Sequence, residues 1–345
     1  MEINDPFLHI PVVETAIERD PLVVSPQTSL SSAIALIYNS RSSSCLLDEE
    51  TLKSDFEPAS NCVLVIQAGE LVGILTARDI VRLSVAETDF QAVAVEEVMA
   101  HPVVTLSLAA FEDLFAAVFL LRRYRIRHLP IVDDEGQVIG VVSPESIRRS
   151  LHPANLLKLR RVADVMSTNA IHAPMSASVF TIAQLMVEHR ISCVVITHTQ
   201  TDKSLSGERI PVGIITERDI VQFQALGVNM NGVRAQDVMS TPLFLLHPED
   251  SLWKAHQQMQ QRRVQRLVVS WDWGKGLGIL TQTSLLRIFD PVEMYGVIQS
   301  LQRTVEQLQS EKFQLLQDYQ TLLVEGRREM TKTREKSEDI APKLP

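Results

Sequence analysis

Gly73-Ile-Leu-Thr-Ala-Arg-Asp-Ile-Val81 and Gly213-Ile-Ile-Thr-Glu-Arg-Asp-Ile-Val221 are two copies of one phrase, 140 positions apart. In each, a short apolar run ends at a Thr and gives way to apolar residues at helical spacing, so the phrase marks a strand handing over to a helix. Reduced to Gly, two apolar residues and then Ser or Thr, it occurs twice more, at Gly140-Val-Val-Ser143 and Gly278-Ile-Leu-Thr281. A second feature recurs with it. Val98-Met99, Val165-Met166 and Val238-Met239 each precede a short stretch such as Pro102-Val-Val-Thr105, and the first repeat carries Ile17-Glu18-Arg19-Asp20-Pro21 in that place. Self-similarity at such spacing is the signature of a repeat architecture.

Between these landmarks the period alternates. Ser29 to Tyr38, Ala109 to Tyr124, Ser178 to His189 and Ser251 to Arg263 carry apolar residues three and four apart, which predicts helices, with Ser178 and Ser251 as N-caps. Paired apolar runs follow: Val63–Ile66 with Leu71–Leu75, Leu129–Val132 with Val138–Val142, Cys193–Ile196 with Val212–Ile215, and Leu267–Val269 with Leu277–Leu280. These read as hairpins, the second closed by Asp133-Asp134-Glu135-Gly136-Gln137. The glycine-rich Gly274-Lys-Gly-Leu-Gly278 lacks the ending of a phosphate loop and reads as the last hairpin turn. Pro21, Pro102, Asn169 and Pro242 are equivalent points, spaced 81, 67 and 73 residues apart. The longer repeats carry polar insertions at Leu47 to Asn61 and His198 to Arg209, expected to be surface loops.

Composition narrows the function. With 33 Lys and Arg against 42 Asp and Glu, the net charge is −9, which argues against a nucleic-acid backbone binder. At 45% hydrophobic and 22% charged the chain is an ordinary globular one. Cys45, Cys62 and Cys193 are too few and too scattered for a disulfide framework, which fits a cytoplasmic setting. The start, Met-Glu-Ile-Asn-Asp, lacks a secretory pattern, and the longest clean apolar run, Leu114 to Leu121, is too short to span a membrane. No zinc spacing, hydrolase elbow or kinase loop occurs, so neither a metal, nor a catalytic cofactor, nor an enzyme is expected.

The unit of strand, helix, strand, strand, helix, with a last helix opening after Ser or Thr, resembles a CBS domain. Gly73 to Val81, Gly213 to Val221 and Arg125-Ile-Arg-His-Leu-Pro-Ile-Val-Asp133 carry the resemblance most specifically, and it extends over about residues 12 to 290. It implies an α/β chain of four β-α-β-β-α repeats, paired one with two and three with four into two modules. The expected boundaries are 12–88, 89–151, 152–228 and 229–290, with insertions at 47–61 and 198–209.

Two readings of the repeated Thr and Asp stand side by side. Thr76 with Asp79, and Thr216 with Asp219, have the spacing of a helix cap with a carboxylate in the first turn. The resemblance implies instead that Ser or Thr and Asp contact an adenine nucleotide such as AMP, ADP, ATP or S-adenosylmethionine, the carboxylate accepting from both ribose hydroxyls. An ionised carboxylate only accepts, which suits a vicinal diol. Ser143 and Thr281 keep the first position, but Ser146 and Ser284 stand where the Asp belongs, so two ligands per chain are expected, in repeats one and three. Arg127, His128, Arg263 and Arg266 are the expected phosphate donors, with Arg78 and Arg218 as adjacent candidates. Each of these cations is equally compatible with a solvated helix end.

After Asp290-Pro291, the positions Met294, Ile298, Leu301, Val305, Leu308, Lys312, Leu315, Tyr319 and Leu322 alternate by four and three. This is a heptad seam over 291–325, β-branched or polar at a and Leu or Met at d, which predicts a parallel homodimeric coiled coil. A single amphipathic helix folded back on the repeats is the alternative. Residues 326–345 are highly charged and expected to be disordered. Paired modules leading into a heptad helix look like the sensory part of bacterial signalling proteins, with a kinase- or cyclase-type partner downstream. The competing expectation is a ligand-independent dimerising scaffold.

Overall fold

The computed structural model describes residues 13–42, 61–111, 113–150, 157–158, 160–199 and 209–289, together with 307, 309–312 and 314. Most of the two insertions, the 291–325 coiled-coil prediction and the 326–345 tail therefore lie outside the described residues. The chain divides into two compact units, 1–290 and 291–345.

The first unit repeats one motif four times. β1 (Val23–Val24), α1 (Leu30–Ser42), β2 (Cys62–Gln67), β3 (Glu70–Thr76) and α2 (Ala77–Val85) make the first repeat. β4 (Leu106–Ser107), α3 (Leu114–Arg123), β5 (Leu129–Val132), β6 (Val138–Val142) and α4 (Pro144–Ser150) make the second. The third is β7 (His172–Pro174), α5 (Val179–His189), β8 (Cys193–Thr199), β9 (Arg209–Thr216) and α6 (Glu217–Ala225). The fourth opens on the short α7 (Ala235–Val238), followed by β10 (Leu245–Leu246), α8 (Leu252–Gln261), β11 (Arg266–Trp271), β12 (Gly276–Thr281) and α9 (Gln282–Leu285). Each repeat forms its own three-stranded mixed sheet. A first strand of two or three residues lies parallel to the second, which pairs antiparallel with the third.

The two recurring sequence features meet each other. The lead-in segment of each repeat bridges to the last strand of its partner: Glu18 with Val141, Ala100 with Ile74, Ser167 with Ile279, and Ser240 with Ile214. Repeats one and two thus exchange segments, as do three and four, and this exchange is what makes two modules. The glycine of each phrase is the surface on which that segment lies. A Cβ on Gly73 would stand 2.1 Å from Met99 Sδ, and one on Gly213 would stand 2.3 Å from Met239 Sδ. At Gly140 the obstacle is backbone, the Glu18 carbonyl oxygen at 2.4 Å. The Val-Met pair and the Gly are two halves of one contact.

The modules also pack on each other within the chain. α2 lies against α5 and α6, α1 against α6, and α4 against α9, so repeat one meets three and repeat two meets four. Val81 is buried in the third repeat's core and Val221 in the first's. Leu121 and Leu129 share a core with Leu252 and Leu267.

Local expectations hold with adjustments. Ser178 Oγ accepts from Thr181 N at 3.1 Å, and Ser251 Oγ from Lys254 N at 3.2 Å, as N-caps. The second-repeat helix starts at Leu114 and not at Ala109, because Asp113 caps it through Ala116 N at 2.9 Å, while Leu108–Ala110 form a separate 3-10 turn. The first strand of the second repeat forms just beyond the Pro102 to Thr105 stretch, at Leu106–Ser107, which pair in parallel with Ile131 and Val132 at the end of β5. Of the last glycine cluster only Gly274 is in the turn, at φ 88°; Gly276 and Gly278 are strand residues, and the Trp271 ring covers Gly276. In the second unit the described residues are helical and exposed, with Gln307 Nε2 donating to Glu311 Oε1 at 3.0 Å.

Candidate functional site

The Thr at the end of β3 and of β9 is extended, and the helix behind it begins at once, so the side chain three residues on returns to the strand end. Asp79 Oδ2 accepts from Thr76 N at 3.0 Å and from Thr76 Oγ1 at 2.7 Å. Asp219 Oδ2 accepts from Thr216 N at 2.7 Å and from Thr216 Oγ1 at 2.8 Å. Each carboxylate thus commits one oxygen to the cap. Asp79 Oδ1 has Arg82 Nη2 at 3.5 Å, and Asp219 Oδ1 has no hydrogen-bond partner among the described residues.

In the other two repeats a Ser stands where the Asp would be, buried in the second and half-buried in the fourth. Ser146 is fully buried, and it exchanges bonds with Ser143: Ser143 N donates to Ser146 Oγ at 2.9 Å, and Ser146 N to Ser143 Oγ at 3.1 Å. Ser143 Oγ then donates to Glu18 Oε1 at 3.2 Å, which also receives Arg149 Nη2 at 3.2 Å. Glu18 arrives from the lead-in of the first repeat, at the position held by Ala100, Ser167 and Ser240 in the others. Burial pushes its carboxyl up to about 7 against the opposing field of Arg149. In the fourth repeat Thr281 and Ser284 bond each other in the same way, Ser284 N to Thr281 Oγ1 at 3.0 Å and the two hydroxyls at 2.9 Å.

Four of the predicted cations and one predicted His converge from all four repeats. Arg78 Nε lies 3.5 Å from Glu217 Oε1, and Arg127 Nη1 lies 2.5 Å from Glu217 Oε2. Arg218 Nη2 lies 3.9 Å from Glu145 Oε2, on which Gln265 Nε2 also donates. Arg266 Nε donates to Ser192 Oγ at 3.0 Å. His128 is driven down to about 4 by burial and then by Arg127, so it is neutral at physiological pH. Burial lowers Arg78 and Arg266 as well, and Arg266 feels Cys193, Arg127, Glu217 and Asp219. Through Arg266 the cluster and the Asp219 carboxylate share one neighbourhood. Arg263 is not among these groups; it is exposed, at φ 54°, in the left-handed turn that ends α8, as Arg125 and Arg190 end α3 and α5.

Glu217, Glu145 and Glu18 escaped the sequence reading. Glu217 and Glu145 stand in the first turn of a helix, where an acid is ordinary, and only the fold shows what they face. The signal for Glu18 was a charged residue where the aligned repeats carry Ala or Ser. A cleft of about 690 Å³ opens elsewhere in the first module, lined by Val72, Met99, His101 and Thr105, and none of the predicted site residues lines it. Among the described residues, no group of His, Cys, Asp and Glu is placed to hold a metal ion, and no helix is long and apolar enough to cross a membrane.

Comparison with known proteins places this geometry in a family. The CBS domain pattern matches residues 12–86, 95–153, 162–225 and 235–290. The uncharacterized protein MK0525 of Methanopyrus kandleri is 29% identical over 148 residues, which cover 43% of this chain and 71% of that protein. The crystal structure of protein MJ1225 from Methanocaldococcus jannaschii superposes with a TM-score of 0.60 at 20% identity, over 81% of this chain and all of that one. An uncharacterized conserved protein from Pyrococcus horikoshii gives 0.51 at 15% identity, over 80% of this chain and 98% of its own. All three sources are archaea, so these relatives do not bear out the bacterial setting expected from the architecture.

Proposed function

The chain belongs to the CBS-domain family, whose modules are regulatory and not catalytic, and we propose that it senses adenosyl ligands, one in the first repeat and one in the third. The observation that carries this reading is the pair Asp79 and Asp219. Each holds its helix cap with Oδ2 alone and keeps Oδ1 off the cap, a carboxylate arranged to accept from a diol. Ser146, buried and used up by Ser143, has no such capacity, which restricts the proposal to two sites. The cations Arg78, Arg127, Arg218 and Arg266 supply the positive surroundings that a phosphorylated nucleoside needs, with His128 as a neutral donor beside them. Thr76, Thr216, Ser143 and Thr281 position the helix starts.

Binding would favour one arrangement of the two modules through its differential affinity, and the 291–325 heptad helix would pass that bias on as a parallel homodimer. A downstream signalling partner of kinase or cyclase type, in the cytoplasm, completes the proposal. The dimerising scaffold is the second reading, and the capping bonds favour it, since they give both Asp residues a structural purpose. Asp79→Ser with Asp219→Ser separates the two. The fourth repeat caps its own helix with Thr281 and Ser284, so Ser preserves the cap while deleting the diol acceptor. A sensor shows a dose-dependent thermal shift with AMP, ADP, ATP or S-adenosylmethionine that the double variant loses. A shift with none of them in the nucleotide-free protein refutes the proposal.

A further inference from the structure

The inner ends of the two proposed sites are already occupied by carboxylates of this chain, and the exchange is reciprocal. Glu217 belongs to the second module, is 4% exposed, and holds Arg78 and Arg127 of the first. Glu145 belongs to the first module and holds Arg218 and Gln265 of the second. Each module thus lays an acid on the Arg that follows the other's ligand-facing Thr.

From this arrangement, and resting on the adenosyl reading above, we infer that the sites in repeats one and three take an adenosyl ligand carrying at most one phosphate. The four guanidinium groups at the centre, Arg78, Arg127, Arg218 and Arg266, are opposed by Glu217 and Glu145, with Asp79 also acting on Arg78 and Asp219 on Arg266. The cluster therefore has no surplus of positive charge with which to meet a polyphosphate. For a longer phosphate chain to engage Arg78 and Arg127 it would have to displace Glu217. That leaves a buried carboxylate without its partners beside new negative charge, and breaking a buried pair in this way is strongly unfavourable. The Asp79 and Asp219 carboxylates add to the penalty, because they already place a negative group at the start of each helix. A single phosphate, a neutral nucleoside or a sulfonium-bearing adenosyl group avoids the conflict. The two acids come from opposite modules, so a ligand that disturbs either pair also loosens the contact between the modules.

The test is a calorimetric ranking of adenosine, AMP, ADP, ATP and S-adenosylmethionine on the full chain and on Glu217→Gln. Gln keeps the shape and one acceptor for Arg127 while removing the charge. The inference expects ATP to bind at least about tenfold more weakly than AMP to the wild-type chain, and expects Glu217→Gln to raise ATP affinity by about tenfold or more with AMP changed less than about threefold. ATP binding the wild-type chain more tightly than AMP overturns the inference and leaves the adenosyl reading standing. An unchanged ranking in a folded Glu217→Gln also overturns it, and if that variant does not fold, the wild-type ranking decides alone. Binding of none of the five compounds overturns the adenosyl reading, and the inference with it.

Discussion

Replacing Glu18 by Gln should stabilise the protein at alkaline pH and change it by less than about 1 kcal/mol near pH 5. Glu18 is fixed by its backbone, which exchanges 2.9 Å hydrogen bonds with Val141 in both directions, so its side chain has little freedom to leave. The carboxyl is 18% exposed and lies 3.2 Å from Arg149, itself 38% exposed. Loss of hydration outweighs that partly solvated guanidinium, and the group is carried from 4.5 to about 7. A carboxyl raised on folding contributes stability that is complete below about pH 4.5 and is lost as pH rises toward 7. A shift of that size corresponds to roughly 3.5 kcal/mol at most, and retention of the Arg149 pair in the ionised form makes about 1 to 3 kcal/mol the working range. Gln accepts from Ser143 Oγ equally well and never ionises. Urea denaturation of both proteins between about pH 5 and pH 8 gives the difference curve directly. The difference is needed because His128 and His256, both depressed to about 4, push the wild-type curve the other way, adding stability as pH rises from 4 to 6.5. A difference independent of pH, or a Gln variant that is less stable than wild type at pH 8 but not at pH 5, refutes the argument. The second result would mean that the Arg149 pair holds the carboxyl ionised.

Other perturbations test other parts of the account. Gly140→Ala should cost about 3 kcal/mol or more, because its Cβ meets the Glu18 carbonyl, whereas Gly73→Ala should cost about 1 kcal/mol, since the Met99 side chain can turn aside; equal losses in a denaturation series would contradict the lead-in contact. Asp113→Ala should cost about 1 kcal/mol by loss of the α3 cap, against no measurable loss if the helix began at Ala109. Leu308→Glu, at a d position of the proposed seam, should convert a dimer to a monomer in sedimentation without lowering the melting temperature of the repeats; a chain that sediments as a monomer before substitution refutes the coil.

What could be read from the sequence was what is local in it. The Gly-to-Thr phrase, the hairpins and the Ser178 and Ser251 caps depend on residues within a turn or two of each other, and they lie where their spacing placed them. Helix α3 was misjudged at its start because Leu108, Ala109 and Ala110 are good helix formers, and only the Asp113 cap shows that the helix begins later. The cationic half of the central cluster was legible, since arginines recur at Arg78 and Arg218 of the phrase. The acidic half was not. Glu217 and Glu145 contact residues 139 and 73 positions away, and a first-turn acid carries no sign of which module it will face. The closure of the second repeat by Glu18 was hidden for the same reason, being a contact between repeats and not within one.

The most direct test of the central claim is the number of adenosyl ligands bound per chain, measured by calorimetry on nucleotide-free protein with AMP. The account predicts two, falling to one in Asp79→Ser, one in Asp219→Ser and none in the double variant, with the folded state retained because Ser preserves each cap. A count of zero or four, or a count of two that survives the double substitution, would contradict it.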